Sequence, residues 1–401
     1  NHKGNYMDDI KIPSQKQNNQ ERAFPTEASL TSPQKKFMPE EVIDMSKNNQ
    51  SPINSPKKHF KITKKQLIIV SIIVILAIAG ALYYFLFYKK DQPVNTTVTT
   101  TKKEEPPKPP TSPLTGRVVE SEAIAKRPVT AIMIENSPDA RPQSGLKQAD
   151  TVVEAVAEGG VTRFMAAYLE STPDYIGPIR SARPYYVDYA LAFDASYAHV
   201  GGSPEALSDI KTLGVKDLDQ FFNPDAYFRI NSRYAPHNMY SDFTKLDALN
   251  QSKGYTSSKF TPFERKIDVA QTPTANSVSF SLSGATYNPT FTYDAATNSY
   301  IRSQAGSNHN DFKSGEPINP KVVVAIVLDK SSDGYNTIYQ TSGNGTAYIF
   351  QDGIVSQGSW NKPDRKSSVT LTDKNGLPMK LNAGQTWITL VGSPGDINYQ
   401  P

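Results

Sequence analysis

The strongest constraint on this chain is an uncharged apolar run of 22 residues from Leu67 to Tyr88. As an α-helix the run spans about 33 Å, enough to cross the hydrocarbon core of a bilayer. Tyr83, Tyr84 and Tyr88 near its end are typical of an aromatic belt at a membrane interface. A buried core helix and a cleaved signal peptide are disfavoured, because no charge interrupts the run and 66 residues precede it. The sequence therefore predicts one transmembrane helix over 67–88.

The distribution of lysine around this run predicts its orientation. Two lysines follow it directly, whereas five precede it: Lys57, Lys58, Lys61, Lys64 and Lys65. This bias favours a cytoplasmic N-terminus and places residues 89–401 outside the cell membrane. The chain has no cysteine, which excludes disulfides, thiolate zinc sites, a cysteine nucleophile and a lipid-modified cysteine. A net charge of +4 over 401 residues does not predict a nucleic-acid partner.

Composition divides the remaining chain into four segments. Residues 1–66 are rich in Asn, Gln, Lys, Ser and Pro, which predicts a disordered cytoplasmic tail. Residues 89–113 are rich in Pro, Thr and Lys, which predicts a stalk that holds the globular part off the membrane. The globular part has a length that suits two domains, which we assign to 114–256 and 257–401.

The pattern in 114–256 mixes strands and helices. Apolar runs predict buried strands at 128–136, 151–156 and 164–169. Helices are expected from Pro184, from Pro204 after an N-cap at Ser203, and near 241–250. From 257 onward, short alternating runs separated by Gly, Asn and Asp turns predict an antiparallel β domain. The pattern thus predicts an α+β protein, with a mixed α+β domain followed by a β-rich domain. For Asp364 and Arg365 near Trp360, a loop ion pair is favoured over a surface contact patch.

Several long motifs occur in one order along the exterior part. They are ARPQSGLKQADTVVEAVAEGGVTRF, IGPIRSARPYYVDYALAFD, HVGGSPEA, RYAPHNMY, GNGTAYIFQDGIVSQGSW and NAGQTWITLV. Over 128–400 this pattern resembles the YerB-like family of bacterial cell-envelope proteins. The resemblance implies a lipoprotein or single-span anchored protein of unknown biochemical activity. It also implies a layered α/β sandwich as the N-terminal domain and a β-rich C-terminal domain. This chain departs from the lipoprotein version because it has no cysteine and carries an apolar anchor at Leu67–Tyr88.

Charged residues and glycines concentrate in 151–238, which predicts a built site rather than a solvated surface. Gly201, Gly202 and Ser203 follow a strand and open a helix, and such junctions bind anions through free amides. Arginine forks bind phosphate or carboxylate, and the candidates are Arg163, Arg180, Arg183, Arg229 and Arg233, with Asn238 beside them. For any single arginine, pairing with a nearby Glu or Asp is the alternative. We predict that Arg180, Arg183 and His199 line one cleft, with Arg163 and His237 at its edge.

His199, His237 and Glu158 are the candidates for acid–base catalysis. Each histidine alone is more typical of a structural hydrogen bond. No HxH or HExxH spacing predicts a metal site, and the sequence predicts no cofactor. Ser203 lacks the GxSxG context of a nucleophile.

Three function classes follow from these residues. The first is a binding protein for an anionic envelope polymer or an envelope protein. The second is a hydrolase or transferase that acts on an anionic cell-wall polymer with His, Arg and Glu. The third is a structural spacer. The stalk and the β-rich domain favour binding, the charged cluster favours an enzyme, and a spacer would not need so many charges beside glycines.

Overall fold

The computed structural model describes residues 63–88 and 108–401. The predictions for residues 1–62 and 89–107 lie outside these described residues. The chain divides into two compact units, Asn1–Thr100 and Thr101–Pro401. Residues 108–113, the end of the predicted stalk, belong to the second unit, where Thr111 forms an antiparallel bridge with Val118.

The described part of the first unit is one helix. Helix α1 spans Lys64–Tyr83 and continues as a π-helical turn over Tyr84–Tyr88, so the predicted helix begins three residues earlier than expected. Gln66 accepts a hydrogen bond from the backbone amide of Thr63 at 3.1 Å, which caps the first turn. The helix is long and apolar enough to cross a membrane by length and composition.

The first half of the second unit holds four helices, α2 Glu122–Ala125, α3 Pro184–Ala192, α4 Pro204–Leu213 and α5 Phe243–Ser252. Its strands are β1 Thr130–Glu135, β2 Thr151–Val156, β3 Thr162–Tyr168, β4 Ser196–Ala198, β5 Lys216–Asp217, β6 Phe228–Arg229 and β7 Met239–Tyr240. Short 3₁₀ turns cover Pro138–Ala140, Glu158–Gly160 and Pro224–Ala226.

The second half is built from short strands and one 3₁₀ turn at Pro394–Asp396. The strands are β8 Arg265–Lys266, β9 Ser277–Phe280, β10 Pro289–Asp294, β11 Ser299–Gln304, β12 Ser307–Asn308, β13 Val322–Val327, β14 Lys330–Ser332, β15 Thr337–Tyr339, β16 Gly343–Gln351, β17 Ile354–Lys362, β18 Thr370–Thr372, β19 Leu381–Asn382, β20 Thr386–Val391 and β21 Ile397–Gln400.

Strands from both halves form one sheet of ten strands in the order β18-β17-β16-β13-β20-β2-β3-β1-β4-β5. The connection between the halves is the parallel pairing of β2 with β20, in which Val152 lies opposite Trp387. The sequence boundary predicted near residue 257 therefore separates two regions that share a single sheet. A second sheet of five strands has the order β12-β11-β10-β9-β21.

The two faces of the large sheet are covered by different elements, because alternate residues of a strand point to opposite sides. On one face, Met133 and Met165 pack in a cluster with the tyrosines of α3 and with Ile210 of α4. On the other face, Ile132 and Phe164 pack with α5 and with aromatic residues of the five-stranded sheet. Burying each such large side chain contributes about 1.5–3 kcal/mol, so both faces hold the fold together.

A polar network lies inside the second cluster. Glu154 of β2 and Arg302 of β11 form a fully buried ion pair at 2.7 Å. Glu154 also accepts a hydrogen bond from the indole of Trp387 at 2.8 Å, and the Arg302 guanidinium lies 4.9 Å from the centre of that ring. Burial, and then the charge of Arg302, lower the pKa of His309 well below its ordinary value. The network joins a strand of the first half to two strands of the second.

The described residues are mostly strand with a few helices, as expected for an α+β protein. The three predicted strands of the first half and its three predicted helices are present, with Ser203 as the N-cap of α4 and Gly214 in the left-handed region at φ 72° as its end. Strand β17 was not predicted, because its polar sequence Ile354–Lys362 lacks a continuous apolar alternation.

Candidate functional site

The two loop-to-helix junctions that precede α3 and α4 lie side by side. Val200 donates its amide to the carbonyl of Arg180 at 3.1 Å, and Ala182 donates to Gly201 at 2.9 Å. A parallel bridge joins Ala182 to Gly202. The arginine segment and the glycine segment, which the sequence singles out separately, therefore form one piece of structure.

Glu135, the last residue of β1, lies at the centre of a polar cluster behind this junction. Its carboxylate is only 3% exposed. Oε1 accepts hydrogen bonds from Ser137 Oγ at 2.8 Å and from His237 Nδ1 at 2.9 Å, and Arg180 Nε lies 3.3 Å away. Oε2 is buried and has no hydrogen-bond partner within residues 63–88 and 108–401. Oε1 thus contacts both the His237 ring and the Arg180 guanidinium, whereas Oε2 has no hydrogen-bond partner in the described chain.

Arg180 is the cation of this cluster that keeps donors available. Its side chain is 25% exposed, and its interaction in the described chain is the Nε contact with Glu135. That contact is too poorly aligned to count as a hydrogen bond, so Nε is itself a buried donor without a partner in the described part of the chain. A guanidinium has five N–H donors, and unused donors on a partly buried cation favour a ligand with acceptor oxygens.

Arg180 opens on a cleft of about 940 Å³. Three cations line it, Arg180, Lys211 and Arg229, together with Asp217 and Asp219. The two carboxylates are engaged by the protein: Asp217 Oδ1 lies 3.0 Å from His199 Nε2, and Asp219 Oδ1 accepts the amide of Gly201 at 2.9 Å. The lining residues of the cleft therefore include one more cation than carboxylates.

Gly201, Gly202 and Ser203 are engaged differently from what the sequence predicts. The Gly201 amide, expected to receive an external anion, already donates to the carboxylate of Asp219. Ser203 Oγ accepts the Ala206 amide at 3.3 Å as the N-cap of α4. Gly202 lines the cleft, and a Cβ there would lie 3.2 Å from the Ala182 Cβ, so its role is close packing. Gly201, Gly202 and Ser203 therefore shape the wall of the cleft through their own backbone.

His199 is buried and held at both ring nitrogens. Nδ1 donates to the Gly201 carbonyl at 2.8 Å, and Nε2 faces Asp217. Burial would raise the pKa of Asp217, but the hydrogen bond and charge of His199 outweigh burial, and the pKa is lowered. The ring has no face open to a ligand, so the predicted acid–base candidate is tied into the cleft wall.

Arg163, Arg183 and Glu158 form a separate group in which both cations pair with the one carboxylate. Arg163 pairs with Glu158 and donates to the Ser181 carbonyl at 3.1 Å. Arg183 Nε donates to the same carboxylate at 2.9 Å. Burial opposes ionisation of Glu158, but the two arginines lower its pKa. Arg163 and Arg183 therefore pair with a nearby carboxylate, which is the alternative to ligand binding given above for each arginine.

The prediction that Arg180 and Arg183 line one cleft needs correction. Arg183 lies on a second cavity of about 510 Å³, which it shares with Asp188 and Arg365. The physical reason is that residues an odd number of positions apart in an extended segment point to opposite sides. Arg365 pairs with Asp188 of α3 at 2.5 Å and with Asp209 of α4 at 2.6 Å. Asp364 instead accepts the amides of Lys366 and Ser367, so the loop ion pair predicted for Asp364 and Arg365 is replaced by a loop-to-helix pair.

In the 229–238 loop, Arg229 lines the cleft, whereas Arg233 and Asn238 stabilise the loop. Arg229 is exposed on the cleft and donates to Asn238 Oδ1 at 2.6 Å. Asn238 in turn donates to the carbonyls of Ile230 and Arg233, which closes the loop. Arg233 donates to the carbonyls of Ala140 and Pro142 at 2.6 and 2.7 Å, so its guanidinium is used structurally.

Sequence reasoning missed four groups that matter here: Glu135, Ser137, Lys211 and the aromatic pair Phe221 and Phe222. Glu135 carried a usable signal, since a carboxylate at the end of the buried strand TAIMIE must find partners. The aromatic pair Phe221 and Phe222 carried a weaker sequence signal. Within residues 63–88 and 108–401 no group of three or more His, Cys, Asp or Glu could hold a metal ion.

Comparison with known proteins identifies two family matches in the Thr101–Pro401 unit. Residues 114–256 match the family described as "Protein of unknown function (DUF3048) N-terminal domain", and residues 278–388 match the corresponding C-terminal domain. Both matches contribute strands to the ten-stranded sheet.

A curated relative and a solved structure agree with these matches. The chain is 32% identical over 291 residues to "Putative lipoprotein YerB" of Bacillus subtilis (strain 168), covering 70% of this chain and 86% of the relative. It also resembles the crystal structure of the YerB protein from Bacillus subtilis with a TM-score of 0.65 and 27% identity, over 73% of this chain and 99% of that one. The resemblance seen in the motifs is confirmed, and the chain belongs to the YerB-like family.

Proposed function

We propose that this protein is a membrane-anchored envelope protein that binds a phosphate- or carboxylate-bearing ligand, such as an anionic envelope polymer, in the cleft of Arg180. The observation that carries the proposal is the incomplete set of partners around Arg180. Its Nε lies 3.3 Å from the buried carboxylate of Glu135 without a hydrogen bond, and the side chain lines a cleft of about 940 Å³.

Electrostatics supports an anion at this position. Arg180, Lys211 and Arg229 surround the cleft, while its two carboxylates are used by His199 and by backbone amides. At about 4 Å, two opposite charges near a protein surface attract by roughly 4 kcal/mol, and cations that converge on one cleft add to this attraction. Guanidinium forks add directional hydrogen bonds to phosphate or carboxylate oxygens.

The test is calorimetric titration of the 101–401 fragment with inorganic phosphate and with acetate. This fragment is a compact unit of its own, and 99% of the solved YerB chain matches within 73% of the present chain. Arg180→Ala removes a charge-assisted contact, so we expect affinity to fall about ten- to a hundredfold. Arg180→Lys keeps the charge without the fork and should lose less.

Arg127→Ala is the matched control. Arg127 has a similar exposure of 21%, but both its short contacts go to Asp247, at 2.9 and 2.7 Å, away from the cleft. It should retain wild-type affinity. Equal affinity of Arg180→Ala and wild type for phosphate would remove the basis of the proposal.

The proposed location is the cell membrane with a single span, residues 1–66 inside and residues 89–401 outside. The apolar helix and the name "Putative lipoprotein YerB" of the relative both support membrane association. The lysines that precede the helix support the orientation. Protease added to protoplasts should digest the exterior part and spare the tail; a protected exterior part would contradict this orientation. For the fold we propose the layered α/β sandwich expected from the family resemblance, with α3 and α4 on one face of the large sheet and α5 and the smaller sheet on the other.

A second candidate function is a hydrolase or transferase that acts on an anionic cell-wall polymer. The observation that favours it is the Glu135–His237 pair. Because a carboxylate only accepts, His237 Nδ1 donates to Glu135, and Nε2 is left with Asp139 at 3.9 Å, beyond hydrogen-bond distance. An imidazole oriented in this way is suited to general acid–base work.

His237→Asn separates the two candidates. An enzyme should lose turnover of teichoic acid or peptidoglycan fragments by 10²–10⁴-fold while phosphate affinity changes little. A binding protein should show no turnover in wild type or variant, and a spacer should show neither binding nor turnover.

A further inference from the structure

The cleft of Arg180 has an apolar wall that a small inorganic anion does not need. Phe221 is 68% exposed and Phe222 is 79% exposed, and both line the cleft together with the half-exposed Leu207. Single exposed apolar residues are ordinary, but two adjacent phenylalanines beside three cations form a patch of mixed character. A site of this kind fits a ligand with both a charged and an apolar part.

The turn that carries Phe221 and Phe222 is fixed by hydrogen bonds to Asp219. Asp219 accepts the amides of Gly201 and Phe221, and its carbonyl accepts the Phe222 amide at 3.1 Å and the Asn223 side chain at 2.7 Å. Gly201 has φ +56°, and a Cβ at that position would lie 3.0 Å from the Phe221 ring. The ring therefore packs directly on the glycine that borders the cations. The apolar wall and the charged groups belong to one fixed surface.

We infer that the ligand of this cleft is an amphipathic lipid-like anion, whose phosphate or carboxylate head lies against Arg180 and Arg229 and whose hydrocarbon chain lies against Phe221, Phe222 and Leu207. This inference rests on the proposed function and deepens it. A volume of about 940 Å³ lies at the upper end of small-molecule sites, which leaves room for a chain beside the headgroup. The proposed membrane anchor also places the protein beside a bilayer, where amphipathic lipid-like anions are present.

The chemistry of the wall favours a hydrocarbon chain over a peptide as occupant. The lining offers aromatic and aliphatic side chains next to cations, while the backbone amides of Gly201, Phe221 and Phe222 are already bonded to Asp219. An extended peptide needs free backbone groups to pair with. Each methylene that is buried contributes about a fourfold gain in affinity, so three or four of them give roughly a hundredfold.

The experiment titrates the 101–401 fragment with methyl phosphate, with octyl phosphate below its micelle concentration, and with octyl glucoside. Octyl phosphate should bind at least tenfold more tightly than methyl phosphate, and octyl glucoside should bind much more weakly than octyl phosphate. Phe222→Ser should abolish most of the difference between the two phosphates and leave methyl phosphate affinity unchanged. Since the Phe222 side chain is largely exposed, the variant should fold normally.

Tyr335→Ser is the matched control, because Tyr335 is similarly exposed at 65% and lies on another turn. It should bind like wild type. Equal affinity for methyl and octyl phosphate would overturn the inference and leave the proposed function standing, whereas no binding of either would defeat both. Equal binding of octyl glucoside, or tighter binding of an acidic peptide than of octyl phosphate, would also overturn the amphipathic assignment. So would a Phe222→Ser variant that keeps the full preference for octyl phosphate.

Discussion

Two charged clusters in the Thr101–Pro401 unit use the same residue types in opposite ways. Around Arg302 and Glu154 both ions are fully buried, both Glu154 oxygens and both Arg302 Nη atoms have partners, and Nε alone of these atoms has none. Around Arg180 and Glu135 one carboxylate oxygen and one side of the guanidinium are left without partners in the described chain. The guanidinium Nε is unpaired in both clusters, so the difference lies at the second carboxylate oxygen and at the Nη groups. The comparison teaches that hydrogen bonding at these atoms, rather than charge or position in the sequence, distinguishes a structural ion pair from a binding site.

The largest effect on stability should come from breaking the buried ion pair of Glu154 and Arg302. Glu154→Gln leaves Arg302 as an uncompensated buried charge, so the free energy of unfolding should fall by about 3–5 kcal/mol. Urea denaturation of the 101–401 fragment measures this change. Glu122→Gln is the control, because Glu122 and Lys126 form an exposed pair at 3.0 Å that should contribute under about 0.5 kcal/mol. A loss below about 1 kcal/mol for Glu154→Gln would mean that the network is not structural.

A second buried carboxylate predicts a pH dependence. Burial, and then the nearby charge of Glu170, raise the pKa of Asp150 from its ordinary value of 3.8 to about 6, although the Leu169 and Glu170 amides and Arg117 lower it. Because the folded pKa is raised, Asp150 contributes stability below pH 3.8 that is lost as pH rises through about 6. The loss is about 3 kcal/mol at 1.36 kcal/mol per pKa unit. Unfolding of Asp150→Asn, measured between pH 4 and 7, should lack this slope; an identical slope in both proteins would contradict the assignment.

Ser203 tests whether the helix start is a cap or a ligand. Its hydroxyl accepts the Ala206 amide, so Ser203→Ala should lower stability by about 1 kcal/mol and leave phosphate affinity unchanged. Thermal unfolding and calorimetric titration of the same sample separate the two effects. A loss of affinity with unchanged stability would restore Ser203 as the ligand predicted from the sequence.

The smallest effect on stability is expected at Arg180. Glu135 retains Ser137 and His237 as donors when Arg180 is removed, so Arg180→Ala should cost under about 1 kcal/mol. The melting temperature measured without ligand checks this expectation. A variant that unfolds would move Arg180 into the structural class and make the two clusters alike.

Local signals in the sequence were sufficient for most elements of the first half. The N-cap Ser203, Pro204 and the left-handed Gly214 define α4 through short-range hydrogen bonds, and apolar runs define β1, β2 and β3. The pairing of β20 with β2 could not be predicted, because no local pattern records that residues 386–391 lie beside residues 151–156. The same limit applies to the site. Arg180 and His237 were expected, but the carboxylate that brings them together, Glu135, lies 45 residues before Arg180 in the sequence.

The most direct test of the central claim is the position of a bound anion in a crystal of the 101–401 fragment soaked in phosphate. The account predicts a phosphate within hydrogen-bond distance of the Arg180 guanidinium, on the cleft side away from Glu135, and its absence from crystals of Arg180→Ala. A phosphate found only beside Arg183 and Arg365, or the same occupancy at the cleft in Arg180→Ala, would contradict it.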